Sequence, residues 1–127
     1  MINGTEAITT AALANALDVA TFRHQTIASN IANAHTQGYV PQRVSFDAHW
    51  AQAQNMLRQG GSLDATVLAG LTVQLTPMLT ESGKPMEVKL DAEVANLASN
   101  NLQYQALVKG LSRHMSLLMS AASDGKK

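Results

Sequence analysis

Apolar residues recur at helical spacing near both ends of this chain and alternate singly between them. At the N-terminal end Leu13, Leu17, Ala20, His24, Ile27 and Ile31 follow a 4-3-4-3-4 spacing, which places them on one seam of a helix. His24 is the polar exception. The pattern predicts a helix over about 5–33, with Asn3 and Glu6 as a candidate capping pair. At the other end Leu90, Val94, Leu97, Asn101, Tyr104, Val108, Leu111, Met115 and Leu118 keep a 4-3 spacing without a slip. A heptad sustained that long marks a coiled-coil-like seam and predicts a helix over about 91–122. At ~1.5 Å per residue that helix is roughly 45–50 Å long. Asp91 is its candidate cap, and Glu93 adds a favourable charge in its first turn. Asn101 interrupts the seam and has two readings. It turns to solvent at a local twist, or it forms a buried polar layer that fixes register between helices.

Between the helices the period changes. Residues 34–46 read as extended or turning chain, because Gly38 frees the backbone and Pro41 forbids a continuing helix. Val44 and Phe46 alternate with Arg43, Ser45 and Asp47, as in a short half-buried strand. Residues 47–59 predict a short helix ending at Gly60-Gly61-Ser62. Val73 and Leu75 alternate with Thr72, Gln74 and Thr76, Glu81-Ser82-Gly83-Lys84-Pro85 is a turn, and Met86 to Leu90 alternate again. Residues 71–90 therefore read as a hairpin or a pair of extended arms. The fold class expected is mainly α: two long terminal helices in a coiled-coil-like pair, around a small extended or β-hairpin module. The divisions are 1–33, 34–90 and 91–127.

Composition narrows what such a chain does. Nine basic residues balance nine acidic ones with no block of either sign, so nothing suggests a nucleic-acid face. Aromatics are only 4% of an alanine-rich apolar content of 46%, which builds a thin core from close helices. Helices of that kind bury more surface by meeting neighbouring subunits. The absence of cysteine excludes disulfides and thiolate metal sites. The first residues carry no basic region, and no apolar run approaches the roughly 20 residues of a membrane span. The expectation is a chain without a cleaved signal peptide and without direct membrane insertion.

Chemistry is hard to find. None of His24, His35, His49 and His114 pairs at i, i+4 or sits in a metal-ligand motif. Asp91 and Glu93, two apart on a helix, do not share a face, and a helix N-terminus explains both. No serine lies in a nucleophile elbow, and Gly60-Gly61 lacks the lysine of a phosphate loop. The sequence gives no catalytic residue, no cofactor and no metal, so an enzyme is not expected. Met56, Met78, Met86, Met115 and Met119 read as gap-fillers in the packing, and Met115 and Met119 also as softeners of a surface that repacks between states.

One stretch is too particular for a generic helix end. Ser29-Asn30-Ile31-Ala32-Asn33-Ala34-His35-Thr36-Gln37-Gly38-Tyr39 has amides that bond backbone, a glycine free to take positive φ and a tyrosine that anchors a turn. Asn30 and Asn33 are expected to tie down the helix end, and Thr36, Gly38 and Tyr39 to set the path of the outgoing chain. This run resembles the N-terminal motif of bacterial flagellar rod and hook proteins. The motif residues are Ser29, Asn30, Ile31, Ala32, Asn33, Thr36, Gly38 and Tyr39. Ser45 stands where the family has an aspartate, and His35 and Gln37 where aspartate and proline are common. Val88 to Val94 followed by Leu97 to Ala106, with Asn100, Leu102 and Tyr104, is similar to the proximal rod members.

The resemblance implies a structural subunit of the proximal rod, exported without a cleaved signal peptide by the flagellar type III apparatus. Such a subunit assembles by helix packing in the periplasmic part of the basal body and transmits torque. Its implied partners are other copies of itself, a FliE-like MS-ring junction protein and a FlgC-like rod protein. The assembly seam expected is Leu13, Leu17, Ile27 and Ile31 with Val94, Leu97, Asn101, Tyr104, Val108, Leu111, Met115 and Leu118. The alternatives are another rod subunit, FlgC-like, or a helical binding or export-related protein that never joins a filament.

Overall fold

A computed structural model describes residues 4–45, 55, 58–61 and 73–125. The first helix, α1, spans Gly4–Ala32. Alanine, the best helix former, is its commonest residue, and no proline interrupts it. It runs out where the Asn33 N–H still reaches the Ser29 carbonyl (3.0 Å) and the Thr36 N–H then turns back to the Asn33 carbonyl (3.0 Å). Gly38 takes φ +80° in the corner that follows, a conformation that side chains other than glycine rarely adopt.

Strand β1, Gln42–Ser45, begins directly after Pro41 and pairs antiparallel with β2, Gln74–Pro77. Val44 lies opposite Leu75 and Arg43 opposite Thr76. The Met78 N–H extends the ladder to the Pro41 carbonyl at 2.8 Å. Beyond β2 the chain turns tightly at 80–84, where Gly83 has φ +82°, and returns with a bridge between Leu79 and Pro85. The hairpin expected over 71–90 therefore exists at its tip, but the ladder partner of β2 is β1, which the local pattern did not reveal. Asn55 and Arg58 are helical, while most of the helix expected over 47–59 lies outside the described residues. So do Asn3 of the expected capping pair, Phe46 and Met56.

The last helix, α2, spans Leu90–Asp124. Its N-cap is Lys89, without a side-chain cap. Asp91 is not the cap: the helix starts one residue before it, and its carboxylate accepts only the neighbouring Ala92 N–H at 2.9 Å. α2 packs antiparallel on α1, as four contacts show in order. His114 meets Thr10, Gly110 lies under Leu13, Asn100 reaches the Ala20 carbonyl, and Glu93 meets Asn30. The buried apolar core, Val19, Ala20, Ile27 and Val44, lies along α1 and at the start of the sheet.

The helix pair uses a frame one step from the expected one. Leu97, Tyr104, Leu111 and Leu118 belong to both frames. The edge turned to α1 is completed by Glu93, Asn100, Leu107 and His114. Val94, Asn101, Val108 and Met115, which the spacing also allowed, stay exposed. The reading of Asn101 as a buried layer is thus corrected, since Asn100 takes that place at 3% exposure. Asn100 wins because its amide donates to a carbonyl of α1 (2.8 Å), a bond Asn101 is turned away from making. On α1, Ile27 is buried, Leu13, Leu17 and Ile31 are half-buried, and His24 faces out. Met86, Met115 and Met119 are exposed and fill no gap; among the described methionines only Met78 is half-buried.

Candidate functional site: a buried joint and an open helix edge

The joint is built around Asn30, which is 1% exposed. Its side-chain amide treats the Gln42 backbone as a strand would. Nδ2 donates to the Gln42 carbonyl at 2.8 Å, and Oδ1 accepts the Gln42 N–H at 3.0 Å. The Tyr39 hydroxyl donates to the same Oδ1 at 2.7 Å, and lies 3.3 Å from Ser29 Oγ. Asn33 works one turn later on the surface. Its Nδ2 donates back to the Ser29 carbonyl (2.9 Å), and its Oδ1 accepts from Thr36 Oγ1 (3.2 Å). The motif thus joins helix end, corner and first strand through side-chain amides. Buried amides are stable only when paired in this way.

The fourth partner of Asn30 comes from the far end of the chain. Glu93 Oε2 accepts from Nδ2 at 3.4 Å, and Glu93 is itself 8% exposed. Beside it a polar cleft of about 430 Å³ opens between α1, β1 and α2, with Arg23, Arg43, Asn96 and Gln103 on its walls. A second cavity of about 220 Å³ lies between His24 of α1 and Asn100, Asn101 and Tyr104 of α2. Among the described residues no group of histidines and carboxylates could hold a metal, and no helix is long and apolar enough to cross a membrane. His24 and His35 are exposed, and half-buried His114 lies 3.1 Å from the Thr10 hydroxyl.

The other feature is the open edge of α2. Leu90, Val94, Val108, Met115 and Met119 share one flank with Asn101, and Val94 is 55% exposed. No charged residue interrupts that flank.

No protein-family model matches the chain. Individual relatives do. It is 31% identical to the flagellar basal body rod protein FlgB of Bacillus subtilis over 126 positions, covering 90% of this chain and 92% of that protein. The chain belongs to the FlgB family of flagellar basal body rod proteins. FlgB of Aeromonas hydrophila is 29% identical over 115 positions, covering 84% of this chain and 86% of its own length. FlgB of Escherichia coli is 29% identical over 128 positions, covering 87% and 89%. FlgB proteins are structural parts of the rod, and this chain spans nearly their whole length.

Within this FlgB-family chain the predicted motif residues gather at one place. Ser29, Asn30, Asn33, Thr36, Gly38 and Tyr39 all contribute to the joint, while Ile31 and Ala32 only continue the helix. Of the predicted seam residues, Leu13, Leu17, Ile27 and Ile31 lie on α1, and those of the last helix split between its two edges. Sequence reasoning missed Glu93 and Asn100. The signal was present: 93, 97, 100, 104, 107, 111, 114 and 118 also run at 4-3 spacing, with leucine at four of those positions.

Proposed function

We propose that this chain is a structural subunit of the proximal rod of the bacterial flagellar basal body, joining neighbouring subunits through the open edge of α2. The observation that carries the reading is that edge in a member of the FlgB family. One face of α2 is closed on α1, while an uncharged apolar stripe beside it faces solvent. Burying such a stripe contributes roughly 25 cal/mol per Å². In this reading residues 1–33 and 91–127 form the rod core and 34–90 a variable module. The seam residues Leu13, Leu17, Ile27, Ile31, Leu97, Leu111 and Leu118 hold the subunit together, and Val94, Asn101, Val108 and Met115 meet other subunits. The neighbours are other copies of the chain, a FliE-like junction protein and a FlgC-like rod protein. Delivery is by the flagellar type III apparatus without a cleaved signal peptide, and the work done is torque transmission across the periplasm, with no catalysis.

The test is Val94→Asp and Val108→Asp in cells that depend on this chain for swimming. Both variants should be made and should fold, yet fail to enter basal bodies. Normal swimming with either would remove the open edge from the assembly.

A further inference from the structure

Glu93 is the costly residue of the inner edge. Leucine occupies positions 97, 107, 111 and 118 of the same edge. A buried carboxylate needs hydrogen bonds to repay its lost hydration, and an apolar residue of similar size needs none. Stability alone does not call for glutamate here. Its contact does. The Asn30 Nδ2 carries two hydrogens; one bonds the Gln42 carbonyl (2.8 Å) and the group also faces Glu93 Oε2 (3.4 Å). With Nδ2 held on the side of the carboxylate, Oδ1 is left to receive the Gln42 N–H and the Tyr39 hydroxyl. The reversed amide would put oxygen against oxygen at Glu93 and donor against donor at Gln42.

We propose that Glu93 is the lock of the joint, a positioning residue on α2 that orients the Asn30 amide and through it the chain leaving α1. The contact links positions 63 apart in sequence. It follows that the outgoing path through Tyr39 and Gln42, already held by Asn30, gains its further lock only when the two terminal helices are paired. The module between them then takes its direction from a contact it does not itself make. This device operates within one chain, whatever that chain assembles with.

The readout is hydrogen exchange at the Gln42 N–H in the full chain, alongside thermal unfolding. Glu93→Leu should melt at the same temperature or higher, while Gln42 exchanges about tenfold faster or more. Glu93→Gln keeps an acceptor for Asn30 and should stay near the parent. Asn30→Asp places two carboxylates together and should loosen Gln42. Adding Glu93→Gln to it restores a donor and should recover part of the protection. Parental exchange at Gln42 in Glu93→Leu overturns the lock, and so does an Asn30→Asp/Glu93→Gln chain that exchanges no more slowly than Asn30→Asp. If Glu93→Leu does not fold, the pair built on Asn30→Asp decides. These measurements use the isolated chain, so a failure of the rod reading leaves them standing.

Discussion

The two edges of α2 are drawn from similar residues and meet opposite fates. The inner edge holds leucines with Glu93, Asn100 and His114 among them, and each polar member meets a particular group on α1. The outer edge holds Leu90, Val94, Val108, Met115 and Met119 with the uncharged polar Asn101 and Ser112, and it faces solvent. Hydrophobicity does not distinguish them; the inner edge carries the charged and ring-bearing polar groups, the outer edge none. What closes the inner edge on α1 is the fit of its polar groups. A purely apolar stripe would satisfy many neighbours, whereas a glutamate, an asparagine and a histidine satisfy only the surface that carries the matching donors and acceptors.

The comparison can be broken by substitution. The largest effect is expected on α1 opposite the head of the inner edge. Asn30→Ala strands both backbone groups of Gln42 and should cost about 3 kcal/mol in denaturant unfolding. An effect below about 1 kcal/mol would mean that water replaces the amide. Next, Leu111→Ala on the inner edge should cost roughly 2 kcal/mol, at the low end for a leucine because the site is only half-buried. Asn100→Leu tests the middle polar group in the opposite direction. Its buried Oδ1 lacks a partner among the described residues, so replacement should leave stability unchanged or raise it by about 0.5–1 kcal/mol. A loss greater than 1 kcal/mol would show the bond to Ala20 to outweigh the stranded oxygen. Smallest of all for the isolated chain is Met115→Asp on the outer edge, expected within about 0.5 kcal/mol of the parent by thermal unfolding. Cells carrying it should nevertheless lose swimming, which separates the edge that folds the subunit from the edge that joins it to others.

Much of this architecture was legible in the sequence. Both long helices follow from the 4-3 spacing, and the helix stop follows from two asparagines and a glycine near Pro41. The frame of the helix pair was not legible, because Leu97, Tyr104, Leu111 and Leu118 satisfy either choice. Local pattern ranked Val94 above Glu93, and only the presence of Asn30 opposite reverses that ranking. The pairing of β1 with β2 escaped for a similar reason. Alternation shows that a segment is extended, but the partner strand lies about thirty residues away, and nothing in Gln42–Ser45 names it. The sequence alone makes Asn30 a tie for the helix end, whereas its amide binds the next strand and the far helix. Side chains announce their chemistry in sequence; their partners appear only when distant segments meet.

The antiparallel register of α1 and α2 has one more consequence. Rows of leucine repeat along a helix, so two such rows could slide past each other by one heptad and fit again. The polar contacts do not repeat: a carboxylate meets an amide, an amide meets a carbonyl, and an imidazole meets a hydroxyl. They are spread along most of the pair, from Asn30 to Thr10. Sliding by a heptad would part Glu93 from Asn30 and His114 from Thr10, although Asn100 would still face a backbone carbonyl. The pair is therefore indexed by two side-chain contacts near its opposite ends, and resists shear along its axis even where its apolar packing is thin.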